Sequence, residues 1–289
     1  MTAVPDKQFH KAVEAIDAGD IMALQSLLQE YPTLITKRLE TAESEGYFKD
    51  PYLIWYVADN PIRHEKLPAN IVDVTEVLIE ALQQQQDANY AFILNYTLGL
   101  VATGRIPKEC GLQIPLMEIL IAKGASVNGS VLGPIGQRNL DAAKFLLSKG
   151  AGYNLATAIA LQQTADANRL LATATPSELF VALTVAAFFG DAPAIDLLLR
   201  NGAQANGSGS LSDFGGFHSH ASPLHQAVFS GSLEAVKLLV DAGADLNARD
   251  MAYDGTPLNW AEYMPTEGKD AAAVARYKAI EKYLSAVQR

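Results

Sequence analysis

Cysteine is nearly absent. Cys110 is the only one in 289 residues, so no internal disulfide and no cysteine-rich zinc site can be built. A reducing compartment fits, and the cytoplasm is the expected location. Basic residues are also in short supply: 22 Lys and Arg against 32 Asp and Glu leave a net charge of −10. Nucleic-acid binding through phosphates needs a surplus of positive charge, and none occurs overall or in any run. The same sign disfavours an anionic membrane surface. Long apolar runs are missing too. Met1 to Asp20 holds no run of signal length, and no stretch approaches the roughly 18 apolar residues of a membrane span. Phosphate-binding loops are lacking as well: Gly207-Ser-Gly209 is too short, has no lysine and follows no strand pattern. What remains is 49% hydrophobic and 19% charged, a composition that can bury a core.

That composition is organised as a repeat. Four segments share one ending: Leu120-Ile-Ala-Lys-Gly-Ala125, Leu146-Leu-Ser-Lys-Gly-Ala151, Leu198-Leu-Arg-Asn-Gly-Ala203 and Leu239-Val-Asp-Ala-Gly-Ala244. Eleven residues before each Gly stand Gln113, Asn139, Asp191 and Ser232, the last three being good N-cap residues. Between cap and Gly the apolar residues recur at helical spacing, as in Leu233, Val236, Leu239 and Val240. Glycine then stops the helix, because the left-handed conformation costs it nothing. A second helix precedes each of these, ending in Ala186-Ala-Phe-Phe-Gly190, Ala227-Val-Phe-Ser-Gly231, Ala15-Ile-Asp-Ala-Gly19 and Leu100-Val-Ala-Thr-Gly104. The unit is helix, turn, helix, loop.

Ser222-Pro-Leu-His-Gln-Ala227, then Gly231, then Leu238-Leu-Val-Asp-Ala-Gly-Ala-Asp-Leu-Asn-Ala-Arg-Asp250 resembles an ankyrin repeat, and Gly255-Thr-Pro-Leu258 opens the next copy. The resemblance is closest over 178–263, good over 113–151 and weakest at 47–90 and 152–177. It extends to bacterial-type ankyrin proteins that share segments like Pro61-Ile-Arg63, Leu67-Pro-Ala-Asn70 and Gly216-Phe-His-Ser-His220. It implies an all-α ankyrin-repeat solenoid of about eight helix–turn–helix units with loop or β-turn fingers. A single domain is expected over 1–289: degenerate repeats at 8–112, clearer ones at 113–263 and a C-terminal cap at 264–289. The spacing between Gly202 and Gly243 is 41 residues, against an ankyrin period of about 33. The excess of about eight residues is an insertion within 204–221.

Such a stack implies a non-catalytic scaffold presenting a concave surface to a protein partner. The positions just before the turn Gly are the variable ones, and in the C-terminal half they offer Phe188, Phe189, Phe229, Ser230, Glu262 and Tyr263. Phe214 and Phe217 flank them from the insertion. Aromatic side chains at solvent-facing repeat positions are interface candidates, since each buries a large area at low entropic cost. Asp17, Asp59, Asp213, Asp245 and Glu262 would favour a basic partner patch. The chain is expected to be a monomer or a weak homodimer, without cofactor.

Other constellations carry alternatives. His218, His220 and His225 lie within eight residues and, with Asp213, suggest as the alternative a small-ligand or metal-binding protein, or a weak enzyme, centred on the 204–221 insertion, with His218 and His220 as metal ligands. The resemblance instead gives His225 a structural role, hydrogen-bonding the loop backbone. Cys110 has no evident base beside it and reads as an inert thiol. In the N-terminal half, Tyr52, Trp55 and Tyr56 have the spacing of a core-forming helical face, and Arg63 is placed to clamp a loop or an adjacent carboxylate. Trp260 reads as the replacement for the motif histidine in the last repeat, packing beneath a cap helix at about 270–287.

Overall fold

The computed structural model describes residues 6–39, 50–128, 131–207, 216–267 and 270–288. Among them the chain is all helical. The first helices are α1 (Asp6–Ala18), α2 (Ile21–Glu30), α3 (Ile71–Gln84), α4 (Tyr90–Thr103), α5 (Arg105–Glu109) and α6 (Gln113–Ala122). There follow α7 (Leu132–Gly136), α8 (Leu140–Ser148), α9 (Leu155–Ala160), α10 (Thr164–Leu171) and α11 (Pro176–Phe189). The chain ends with α12 (Ala192–Arg200), α13 (Pro223–Ser230), α14 (Leu233–Asp241), α15 (Pro257–Tyr263) and α16 (Ala271–Val287). Short 3-10 helices occupy Pro32–Ile35, Leu53–Ala58 and Met264–Thr266. Among the described residues these elements make a series of sixteen α-helices and three 3-10 helices, with no strand. No described helix is long and apolar enough to cross a membrane.

Where the sequence suggests one continuous array, the residues group into two compact units. One comprises Met1–Gly129 with Gln137–Ala151, and the other Ser130–Gly136 with Gly152–Arg289.

In the first unit the aromatic segment forms core, as its spacing predicts, but in a 3-10 rather than an α conformation. All six residues of Leu53–Ala58 are buried, and the Trp55 ring stacks on Tyr96 at 4.1 Å between centroids. Asp59, with φ +47°, ends this helix. Its buried carboxylate accepts the backbone N–H groups of Arg63 (3.1 Å) and Glu65 (3.0 Å). Arg63 Nε donates to Asp17 at 3.2 Å, and its guanidinium lies 4.7 Å from the Tyr56 ring centroid. Arg63 is thus a clamp that joins α1 to the loop. Asp17 and Asp59 serve that clamp, which corrects their assignment as groups facing a partner.

The helix-start pattern holds in part. Asp191 and Ser232 cap α12 and α14, accepting from Ala194 N at 3.1 Å and Ala235 N at 3.2 Å. Asn139 and Gln113 do something else. Buried side by side with the end of α4, they donate to its carbonyls: Gln113 Nε2 to Val101 O at 2.9 Å and Asn139 Nδ2 to Ala102 O at 3.2 Å. The last turn of a helix leaves carbonyls unpaired, and when that end is buried a side-chain amide is the available donor.

In the second unit α11 is the central element and packs against α9, α12 and α13. Its sequence Leu179-Phe-Val-Ala-Leu-Thr-Val-Ala-Ala-Phe188 is buried on every face. The one polar residue in that run, Thr184, returns its hydroxyl to Phe180 O at 2.9 Å, so no donor is stranded. Thr175 and Glu178 form a capping box ahead of Pro176. The same arrangement starts α13 with Ser222 and His225, and α15 with Thr256 and Asn259. Asn259, not Trp260, therefore stands at the position of the motif histidine, correcting the alignment made from the sequence by one residue.

Candidate functional site

The insertion decides what becomes of the aromatic residues. Phe214, Asp213 and the rest of 208–215 lie outside the described residues; from Gly216 onward the segment folds over the end of α11. The Phe217 ring meets Phe188 edge-on at 4.8 Å, and Phe229 stacks on Phe188 at 5.5 Å and 18°. Gln226 Nε2 pins this cover by donating to His218 O at 2.7 Å. Phe188 and Phe217 are consequently buried, at 3% and 5% exposure, and present no surface to a partner. Phe189 and Phe229 are half-buried. Ser230 is also committed inward: its hydroxyl donates to Ala227 O at 2.6 Å and accepts from Ser232 N at 3.1 Å, fixing the turn at Gly231. Of the residues proposed for the binding face, Glu262 and Tyr263 remain open to solvent.

Beside this aromatic core lies a cleft of about 640 Å³, lined by His218, His220, Phe229, Tyr253, Gly255, Asn259, Trp260, Tyr263, Met264 and Glu267. Its central support is Asp250, which is 2% exposed. One carboxylate oxygen accepts from Ala252 N (2.9 Å) and Tyr253 N (2.7 Å). The other accepts from Gly255 N (3.0 Å) and from the Trp260 indole (3.0 Å). Burial pushes the Asp250 pKa up, but the indole and three backbone N–H groups outweigh it and hold the carboxyl below its ordinary value. The charge shapes the finger loop between α14 and α15 and orients Trp260 across the cleft. The Trp260 indole N–H is drawn to the buried carboxylate, and its ring lies against His218, His220 and His225.

The three histidines have different fates. His225 is fully buried, and both ring nitrogens are engaged, Nδ1 with Ser222 and Nε2 with Gly255 O at 3.0 Å. A backbone N–H at Nδ1 and a carbonyl at Nε2 define one neutral tautomer, with the proton on Nε2. Burial lowers the His225 pKa, opposed by the bond to Gly255 and by Asp250. The structural role implied for His225 matches this geometry. His218 stands edge-on to Trp260 at 5.2 Å and to Phe229 at 4.4 Å. Its pKa is lowered, first by burial and then by the neighbouring His220. The Nε2 atoms of His218 and His220 are buried without a hydrogen-bond partner. His220 Nε2 is 3.8 Å from Asp250 Oδ1, too far for a hydrogen bond.

This disposition bears on the metal alternative. Among the described residues no group of three or more His, Cys, Asp and Glu side chains could hold a metal ion. His225 is turned away from the cleft pair by its own bonds, and both oxygens of Asp250 are saturated.

Two exposed residues were not singled out from the sequence. Met251 and Tyr253, at the tip of the finger, are 83% and 81% exposed, and Tyr263 across the cleft is 59% exposed. The signal for them is compositional. A tight loop bounded by Asp250 and Asp254-Gly255 would ordinarily carry polar residues at its tip, and Met251-Ala-Tyr253 is apolar. Tyr263 has its pKa raised, chiefly by a hydrogen bond with Glu267, which ties the two residues together at the cleft mouth.

Residues 114–250 match the family described as ankyrin repeats (3 copies). No curated protein matches the chain.

Proposed function

Since this chain is an ankyrin-repeat protein, we propose that it works as a non-catalytic binding protein whose protein partner docks on the finger and cleft of the C-terminal unit. Ankyrin repeats are generally protein–protein interaction modules. One observation supports the assignment to this face: Tyr253 and Tyr263 line one cleft yet are 81% and 59% exposed, and Met251 in the same finger loop as Tyr253 is 83% exposed. Exposed aromatic residues clustered on a rigid support are the usual anchors of an interface, because little entropy is lost when they are covered. Phe229 lends its ring to the cleft wall rather than to the surface, and Phe188 and Phe217 hold that wall in place.

The acidic balance makes a basic partner surface the expected complement. Glu267 lines the cleft, Glu262 is exposed beside the lining residue Tyr263, and among the described residues no Lys or Arg lines it. A small ligand held in the cleft itself is the second reading, favoured by its volume and by the unpaired imidazole nitrogens at its floor.

The test is capture of partners from the native cell by the full chain and by a Tyr253→Ala/Tyr263→Ala variant, with mass spectrometry as readout. Both side chains are exposed, so the variant should fold normally, and a specific captured protein should be lost. Undiminished capture by the variant would move the interface elsewhere. Retention by the variant of a bound small molecule, with no protein captured by either form, would favour the second reading.

A further inference from the structure

The lining of the cleft has a chemical bias that the exposed tyrosines alone do not explain. Its walls are aromatic: Trp260, Tyr253, Tyr263 and Phe229. Among the described residues that line it, the one carboxylate is that of Glu267, and beneath it lies the ionised Asp250. The floor is formed by His218 and His220, whose Nε2 atoms are buried without a hydrogen-bond partner, that of His220 3.8 Å from Asp250. Burial favours the uncharged form of His218. Aromatic faces carry negative electrostatic potential and attract cations. Every feature is therefore that of a slot for a positive, planar, donor-rich group.

We propose that the cleft receives the guanidinium of an arginine side chain carried by the protein partner. The proposal rests on the protein-binding reading of this face and names what enters it. Arginine suits the lining better than lysine does. A guanidinium is planar, weakly hydrated and stacks on aromatic rings, whereas an ammonium is a compact, strongly hydrated charge that loses more on entering an apolar slot. The fork of N–H donors also suits the carboxylate of Glu267, with the guanidinium plane against the aromatic walls. Overall charge agrees: with 32 acidic against 22 basic residues, the protein draws a basic partner toward it.

The experiment uses the full chain and three capped tripeptides, Gly-Arg-Gly, Gly-Lys-Gly and Gly-citrulline-Gly, titrated while the histidine and tryptophan ring signals are followed by NMR. One anchor without the remaining interface should bind at about millimolar Kd. The expected result is saturable binding of the arginine peptide, with shifts concentrated on His218, His220 and Trp260. Citrulline has the same shape without the charge and should bind at least about tenfold more weakly, and lysine several-fold more weakly. Glu267→Gln should weaken the arginine peptide by roughly fivefold without changing the melting temperature. Equal binding of the citrulline and arginine peptides, stronger binding of lysine, or shifts away from the cleft would overturn the proposal. So would the absence of saturation up to about 50 mM, well above the expected Kd. Failure here together with loss of protein capture by the Tyr253→Ala/Tyr263→Ala variant would leave the interface standing and remove only its arginine occupant.

Discussion

Asp250→Ala is the substitution on which the description of the site depends most heavily. The carboxylate accepts four hydrogen bonds, from the backbone N–H groups of Ala252, Tyr253 and Gly255 and from the Trp260 indole. Alanine removes all four acceptors together. Bonds to an ionised group are each worth about 1.5–3 kcal/mol when buried, but the sum of four is an upper bound. Ala252 and Tyr253 sit at an exposed fingertip, where water replaces the lost acceptor at little cost. Gly255 N and the indole are half-buried, and His220 stands where water would enter. Counting these two near the low end of that range and the other two at a fraction gives a loss of about 4 kcal/mol for the C-terminal unit. Asp250→Asn keeps one carbonyl oxygen, can still satisfy two N–H groups, and should lose roughly half as much. The assay is urea denaturation followed by helical circular dichroism, with indole emission reporting on Trp260. The alanine variant should unfold at clearly lower urea, and its emission should change already in the native baseline as the indole loses its partner. A loss below about 1 kcal/mol with unchanged emission would mean that Asp250 does not organise the finger, and the account of the cleft would fail with it.

Two further expectations follow from the same region. His225 and His218 both have pKa values lowered in the folded protein, so folding favours their neutral forms. The unfolded chain then binds more protons below the ordinary histidine value near 6.5, and stability should be full above that pH and fall as pH drops below it, by up to ~1.4 kcal/mol per pH unit for each group. His225→Asn imitates the Asn259 capping box of α15 without a titrating ring, and should flatten the slope of urea midpoint against pH between 6.5 and 5; an unchanged slope would exclude His225 as its source. At the turn after α11, Gly190 has φ +66°, and a Cβ there would lie 2.7 Å from Ser230 Oγ and 2.8 Å from Ser232 Cβ. Because that hydroxyl is held by Ala227 O, Gly190→Ala should cost about 2–3 kcal/mol, whereas Gly202→Ala, with φ +93° but nothing within 4 Å, should cost only the backbone strain of about 1–2 kcal/mol; thermal melts of the two variants should rank in that order.

The repeat was legible because it is written in local chemistry. Caps such as Asp191 and Ser232, the apolar stripe between cap and glycine, and the Gly-Ala stop act within one helix and its neighbour, so their spacing survives in one dimension. The aromatic run around Trp55 could be read as core for the same reason. Where a residue's role depends on what covers it, sequence position misleads. Phe188 occupies a repeat position that ordinarily faces outward, yet an insertion almost thirty residues further on brings Phe217 across it. Asp17 and Asp59 read as free acidic groups until Arg63 is seen between them.

Sequence alone determined the class of object: helix pairs in a repeating series, an acidic surface, no second thiol for Cys110 to pair with, and the place where one period carries extra residues. Those properties follow from composition and from interactions spanning a few residues along the chain. Tertiary structure decided which aromatic residues are wall and which are rim, and which histidine is locked by its own bonds. It also brought the buried carboxylate at Asp250 to the indole of Trp260. These outcomes depend on packing between elements separated by tens of residues, and on the competition for hydrogen bonds in a space that water does not fill.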